Sequence, residues 1–167
     1  PDALKGLPLG PKRKVADDRD PERSPMQWSA APHSGFTKGK PWLPVNADAA
    51  RRNVAAQVRD PGSIYHWYRR LLRLRRSNPA LREGGHVPLE SGNTQVVAFA
   101  RRDRAGHGVL VVLNMSDRPQ QAQVSGWDSA APARGTMLMA SPASTSVDIA
   151  HPMLEPYGVQ IIGFGPR

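Results

Sequence analysis

Eight prolines fall within the first 44 residues, Pro1, Pro8, Pro11, Pro21, Pro25, Pro32, Pro41 and Pro44, with Gly6, Gly10, Gly35 and Gly39 between them. Each internal proline removes a backbone donor and biases the residue before it toward extended conformations, so no helix interior or central strand can be built across this arm. Residues 1–59 show little hydrophobic periodicity. An irregular stretch of that length is out of place in a compact domain of its own: it is either disordered or packed against something else. Trp28, Phe36 and Trp42 argue for packing, because disordered arms are poor in aromatics.

Regularity begins at residue 60. Asp60 is placed to cap, Pro61 suits a first turn, and Ile64, Trp67, Leu71 and Leu74 recur at helical spacing, with Tyr68 and Leu72 widening the stripe. The pattern predicts a helix over 61–78, stopped by Asn78-Pro79. Its other face carries His66, Arg69, Arg70, Arg73 and Arg76. Such a face can hold phosphates, but it is also what a solvated helix face looks like, or one whose arginines pair with acids elsewhere. The motifs and aromatic platforms that base recognition needs are missing, so the solvated or paired reading is preferred.

The second half reads as antiparallel β. "TQVVAFARR" and "GHGVLVVLNMS" are joined by Asp103-Arg104-Ala105-Gly106 as a hairpin, and further strands are expected at "QQAQVSGW", "GTMLMAS", "STSVDIA" and "YGVQIIGFG". Six or seven short strands at this spacing predict a small antiparallel β-sandwich, and a mainly β (α+β) fold class for the whole chain. Charge changes at the same place as texture. Residues 1–85 carry 17 basic and 8 acidic side chains, 17 − 8 = +9, whereas residues 86–167 carry six of each. A boundary is expected near Gly84-Gly85, dividing the chain into 1–85 and 86–167.

A chain of 167 residues buries roughly two thirds of its unfolded surface, enough for a core. It has no cysteine, which removes disulfides and thiolate metal sites, and no apolar run long enough to span a membrane. Nothing near Pro1 has the order of a signal peptide, and the absence of an initial methionine reads as a piece of something longer. A bacterial cytoplasmic location fits this composition, and a periplasmic one fits it as well. No nucleic-acid or membrane partner is expected.

Catalytic signatures are missing. There is no Gly-x-Ser-x-Gly, no phosphate loop and no His-Glu-x-x-His, and His33, His66, His86, His107 and His151 lie in unrelated segments without metal-ligand spacing. Neither a metal nor a cofactor is expected. The most charged loop, "DRDPERSPMQW" at 18–28, brings Asp18, Asp20 and Glu22 close to Arg19 and Arg23, with Asp17 just before it. Paired carboxylates can hydrolyse glycosides, but acids adjacent in sequence beside two arginines are more simply a salt-bridged turn.

That loop also carries a resemblance. "RDPERSPMQW", then "SGFTKGKPWLPVN", then "DPGSIYHWYRRLLRLRRSNPAL" resemble the C-terminal third of α-glucosidases of glycoside hydrolase family 13, in the group of oligo-1,6-glucosidase, maltase and trehalose synthase. There the pattern runs close to Arg-Asp-Asn-Ala-Arg-Thr-Pro-Met-Gln-Trp, Ala-Gly-Phe and Pro-Trp-Leu/Ile-Pro-Val-Asn. The match is good over residues 17–115 and weaker beyond. It implies a (β/α)8 barrel upstream, with residues 1–85 as its C-terminal remnant (the connection after the last barrel strand plus the last barrel helix) and 86–167 as the β-sandwich domain that follows. The catalytic Asp and Glu of such enzymes belong to upstream motifs that do not occur here, so the chain is expected to be non-catalytic by itself. Its implied substrate-binding residue is Arg23, matching the arginine before Thr-Pro-Met-Gln-Trp, which lies at the non-reducing glucose and pairs with a buried aspartate. Pro21, Glu22 and Ser24 depart from the pattern around it. The implied partners are an α-glucosidic oligosaccharide and the upstream barrel. A stand-alone carbohydrate-binding or regulatory β-sandwich is the alternative from another class, and a basic nucleic-acid binder a third.

Overall fold

Residues 23–166 are described by the computed structural model, and they fall in two compact units, Pro1–Leu71 and Leu72–Arg167. The acidic positions Asp17, Asp18, Asp20 and Glu22, with Arg19, lie outside the described residues.

The second unit is the β-sandwich expected. One sheet has five antiparallel strands in the order β1-β2-β3-β7-β5, with β1 Gly85–Leu89, β2 Val96–Arg102, β3 Gly108–Asn114, β5 Thr136–Ser141 and β7 Val159–Phe164. A short pair, β4 Gln120–Gln121 and β6 Met153–Leu154, contributes the second layer. The β2–β3 hairpin turns through 103–106 as its sequence predicts: Asp103 Oδ1 accepts from the Ala105 and His107 amides, and Gly106 takes a positive φ of 85°. Inward positions of the large sheet, Ala98, Ala100, Leu110, Val112 and Ile162, meet Ala122, Val124, Ile149 and Leu154 from the other layer in one core cluster. Leu110 and Ile162 are fully buried, each worth roughly 1.5–3 kcal/mol by transfer.

Several boundaries differ from the sequence reading. β1 was not foreseen. Its Pro88 is tolerable because β1 lies at the sheet edge, paired only with β2. "STSVDIA" is not a strand: Asp148 Oδ1 accepts from the Ala150 and His151 amides and turns the backbone, although Val147 and Ile149 still reach the core. "QQAQVSGW" is a strand only over Gln120–Gln121, yet its alternation holds, with Ala122 and Val124 buried and the intervening Gln123 exposed.

The predicted helix is α2, Ile64–Ser77. The cap is Ser63 rather than Asp60: Ser63 Oγ accepts from the His66 amide at 3.4 Å, while Asp60 Oδ1 takes the Gly62 amide in the preceding turn. Asn78-Pro79 ends α2 and also starts α3, Pro79–Glu83, since Asn78 Oδ1 accepts from the Leu81 amide and Pro79 stands at the first helical position. α3 is held to the sheet by buried Ala80 and by Arg101, whose Nε and Nη2 donate to Gly84 O at 3.0 and 2.6 Å. A further helix, α1 Val54–Arg59, was missed; Asn53 caps it, with Oδ1 accepting from the Ala56 amide at 2.9 Å.

Candidate functional site

Residues 23–55 carry Arg23, the residue the sequence predicts to face substrate, and the segment that follows it. Pro25 is buried, and the segment after it is tied to a turn twenty residues further on. Gln27 makes that tie. Its Oε1 accepts from Asn46 Nδ2 at 3.0 Å, and its Nε2 donates to Arg52 O at 2.5 Å and to Asp48 Oδ1 at 3.3 Å. The backbone joins in, because Val54 N donates to Gln27 O at 2.9 Å and Ala55 N to Trp28 O at 3.0 Å. Asn53, 4% exposed, donates to Ala49 O at 2.9 Å and so fixes the turn from its other side. The described part of the Pro-rich arm is therefore ordered by side-chain amides and carbonyls where regular ladders are barred.

Between Gln27 and the turn the chain makes a tight loop. Trp28 N and Ser29 N both donate to Ser34 O, and closing the loop this way holds His33, Ser34 and Gly35 in the left-handed region, at φ of 53°, 58° and 66°. Only Gly35 takes that conformation without cost; each of the other two costs about 1–3 kcal/mol. The loop and the Lys40–Ala50 segment border a cleft of about 610 Å³, with His33, Ser34, Lys40, Trp42 and Leu43 among its lining. The Ser34 hydroxyl is buried without a partner among the described residues.

Arg23, the residue predicted to face substrate, is exposed and makes no hydrogen bond or ion pair with a described residue. Trp28, Phe36 and Trp42 are 51, 49 and 67% exposed. On α2 the apolar stripe is open in part, with Ile64, Tyr68 and Leu72 exposed, Trp67, Leu71 and Leu74 half-buried, and no residue of the helix buried. Part of its basic face is occupied: His66 Nε2 bonds Val58 O at 2.9 Å, Arg70 donates to Pro61 O at 3.3 Å, and the Arg69 and Arg70 guanidinium groups lie over Tyr65 and Trp67. Among the described residues no three His, Asp or Glu side chains gather as metal ligands, and no helix is long and apolar enough to cross a membrane. Sequence reasoning named Arg23 and the aromatics. It missed Gln27 and Asn46, whose partners are distant in sequence, and Asn53, whose local capping and turn bonds leave no periodic trace.

Comparison with known proteins assigns the two halves separately. The α-amylase catalytic-domain family matches residues 11–84, and the C-terminal immunoglobulin-like domain of D-apionate lactonase matches residues 93–162. The chain is 33% identical over 108 residues to the probable oligo-1,6-glucosidase 3 of Bacillus subtilis, covering 65% of this chain and 19% of that protein. It is 40% identical over 108 residues to maltase 1 of Drosophila virilis, covering 64% of this chain and 17% of that protein. The chain thus spans less than a fifth of the length of these relatives. Among solved structures, trehalose-6-phosphate hydrolase of Bacillus licheniformis superposes over 90% of this chain and 27% of its own, with a TM-score of 0.78 at 23% identity, a likeness of fold. Trehalulose synthase of Pseudomonas mesoacidophila superposes over 87% of this chain and 26% of its own, with a TM-score of 0.74 at 33% identity. The matched catalytic-domain stretch contains the Arg23 loop, the Gln27 tie and α2, and the sandwich follows it in the order the resemblance requires. The α-amylase catalytic-domain match over 11–84, together with the oligo-1,6-glucosidase and maltase relatives, supports the resemblance to a fragment of an α-glucosidase.

Proposed function

We propose that this chain is the C-terminal part of an enzyme that hydrolyses α-glucosidic oligosaccharides, that it is not catalytic by itself, and that it contributes one wall of the glucose pocket through Arg23. The boundary of the reading lies near Gly84-Gly85: residues 1–85 complete a catalytic barrel and 86–167 form the domain after it. The observation that carries the proposal is the match of residues 11–84 to an α-amylase catalytic domain, in a chain with the Arg-x-x-Met-Gln-Trp arrangement at 23–28 but without the carboxylates of a retaining mechanism. The exposure of Arg23 and of Ile64, Tyr68 and Leu72 on α2 supports it, since these are what a barrel would cover. A cytoplasmic site in a bacterium belongs to the same reading and is supported only by composition and by the bacterial relatives.

Chemically, a guanidinium at the non-reducing end offers a fork of donors to sugar hydroxyls and to a neighbouring carboxylate. Removing it from the complete enzyme, Arg23→Ala, is expected to leave that carboxylate unpaired. Such a loss costs about 3–5 kcal/mol when buried, a fall of a hundredfold or more in kcat/KM for an α-glucoside. Arg19→Ala is the control and is expected to cost under about 1 kcal/mol as a loop ion pair. Small and equal effects for both variants would return the loop to a solvated turn.

A further inference from the structure

The partners of Gln27 define what its side chain must be. Arg52 O and the Asp48 carboxylate only accept, and Asn46 Nδ2 donates, so the site requires donors and an acceptor on one group of the right length. A carboxamide meets that need. A carboxylate would oppose acceptor to acceptor and set a second negative charge beside Asp48. Arg23 stands four residues upstream, within about 14 Å of Gln27 along even a fully extended backbone. Buried Pro25, with its fixed φ, lies between them and limits how far the intervening chain can swing.

We propose that Gln27 is a positioning residue for the sugar pocket, its carboxamide fixing the Arg23-bearing segment on the Asn46–Ala55 turn; this rests on the reading of Arg23 given above. The test joins two measurements. In the isolated chain, Gln27→Glu is expected to speed amide exchange at Val54 and Ala55 by about tenfold or more while Val109–Leu113 stay protected, and Asp48→Asn added to it to recover part of that protection. In the complete enzyme, Gln27→Glu is expected to lower kcat/KM for an α-glucoside by about tenfold, and to lower it no further when Arg23 is already alanine, because positioned and positioning residues act as a unit. Unchanged exchange at Val54 and Ala55 overturns the tie. Losses that multiply in the double variant overturn the positioning role while leaving Arg23 as a sugar ligand. An inert Arg23→Ala in an enzyme that turns over overturns the reading of Arg23 itself, and the positioning role with it.

Discussion

Gly108 shows how narrowly single residues are determined in the sandwich. It pairs with Phe164 across β3 and β7, and a methyl group on it would stand 2.2 Å from the Phe164 ring. The ring lies across the glycine and is met edge-on by Trp127, with the Arg102 guanidinium 5.4 Å from the Phe164 centroid and 5.9 Å from that of Trp127. Arg102 also reaches the Asp128 carboxylate at 3.3 Å and the Ser129 hydroxyl, so this one side chain holds the 127–129 loop to the sheet. Gly108→Ala is expected to destabilise the chain by about 1–3 kcal/mol through overpacking, and Leu110→Ala by about 2–5 kcal/mol through the cavity it leaves. Denaturant midpoints at unchanged m-value check both. Neither glycine nor arginine announces these roles in sequence: Gly108 reads as turn punctuation, and the partners of Arg102 lie more than twenty residues away.

Elements were legible where a pattern is local. The alternation of β2, β3 and β7 and the period of α2 can be read directly, as can the Asp103–Gly106 turn. β1 was missed because its proline excludes only a central strand, and α1 because a cap supplied by Asn53 precedes too short an apolar run to register. The arm was legible as non-regular but not in its form, since the order of its described part comes from Gln27 bonded about twenty residues away to Asn46 and Arg52 and from the local bonds of Asn53. Side-chain bonds near the surface open more readily than a five-stranded ladder. Amides near Trp28 and Trp42 are therefore expected to exchange much faster in the isolated chain than those of Val109–Leu113. Equal protection would make the arm a self-sufficient unit and count against its being a barrel remnant.

At the scale of the whole molecule, the two halves divide the work differently. The sandwich buries its own core, with Leu110, Val112 and Ile162 inaccessible, whereas the first unit leaves Trp28, Phe36, Trp42, Ile64 and Tyr68 about half exposed or more. Scattered exposed apolar residues are ordinary, but several large ones together, in a chain that spans less than a fifth of the relatives it matches, are what the proposed reading expects of a surface covered by a barrel. Hydrolysis with retention needs a nucleophile and a proton donor in turn, and the motifs that supply them in α-glucosidases are not in this sequence. The direct measurement is turnover of maltose, isomaltose and nitrophenyl α-glucoside by the isolated chain and by the chain joined to its catalytic barrel. The expected result is a rate no greater than a buffer blank for the chain alone and hydrolysis by the joined protein. Turnover by the chain alone, abolished by Asp20→Asn or Glu22→Gln, would contradict it.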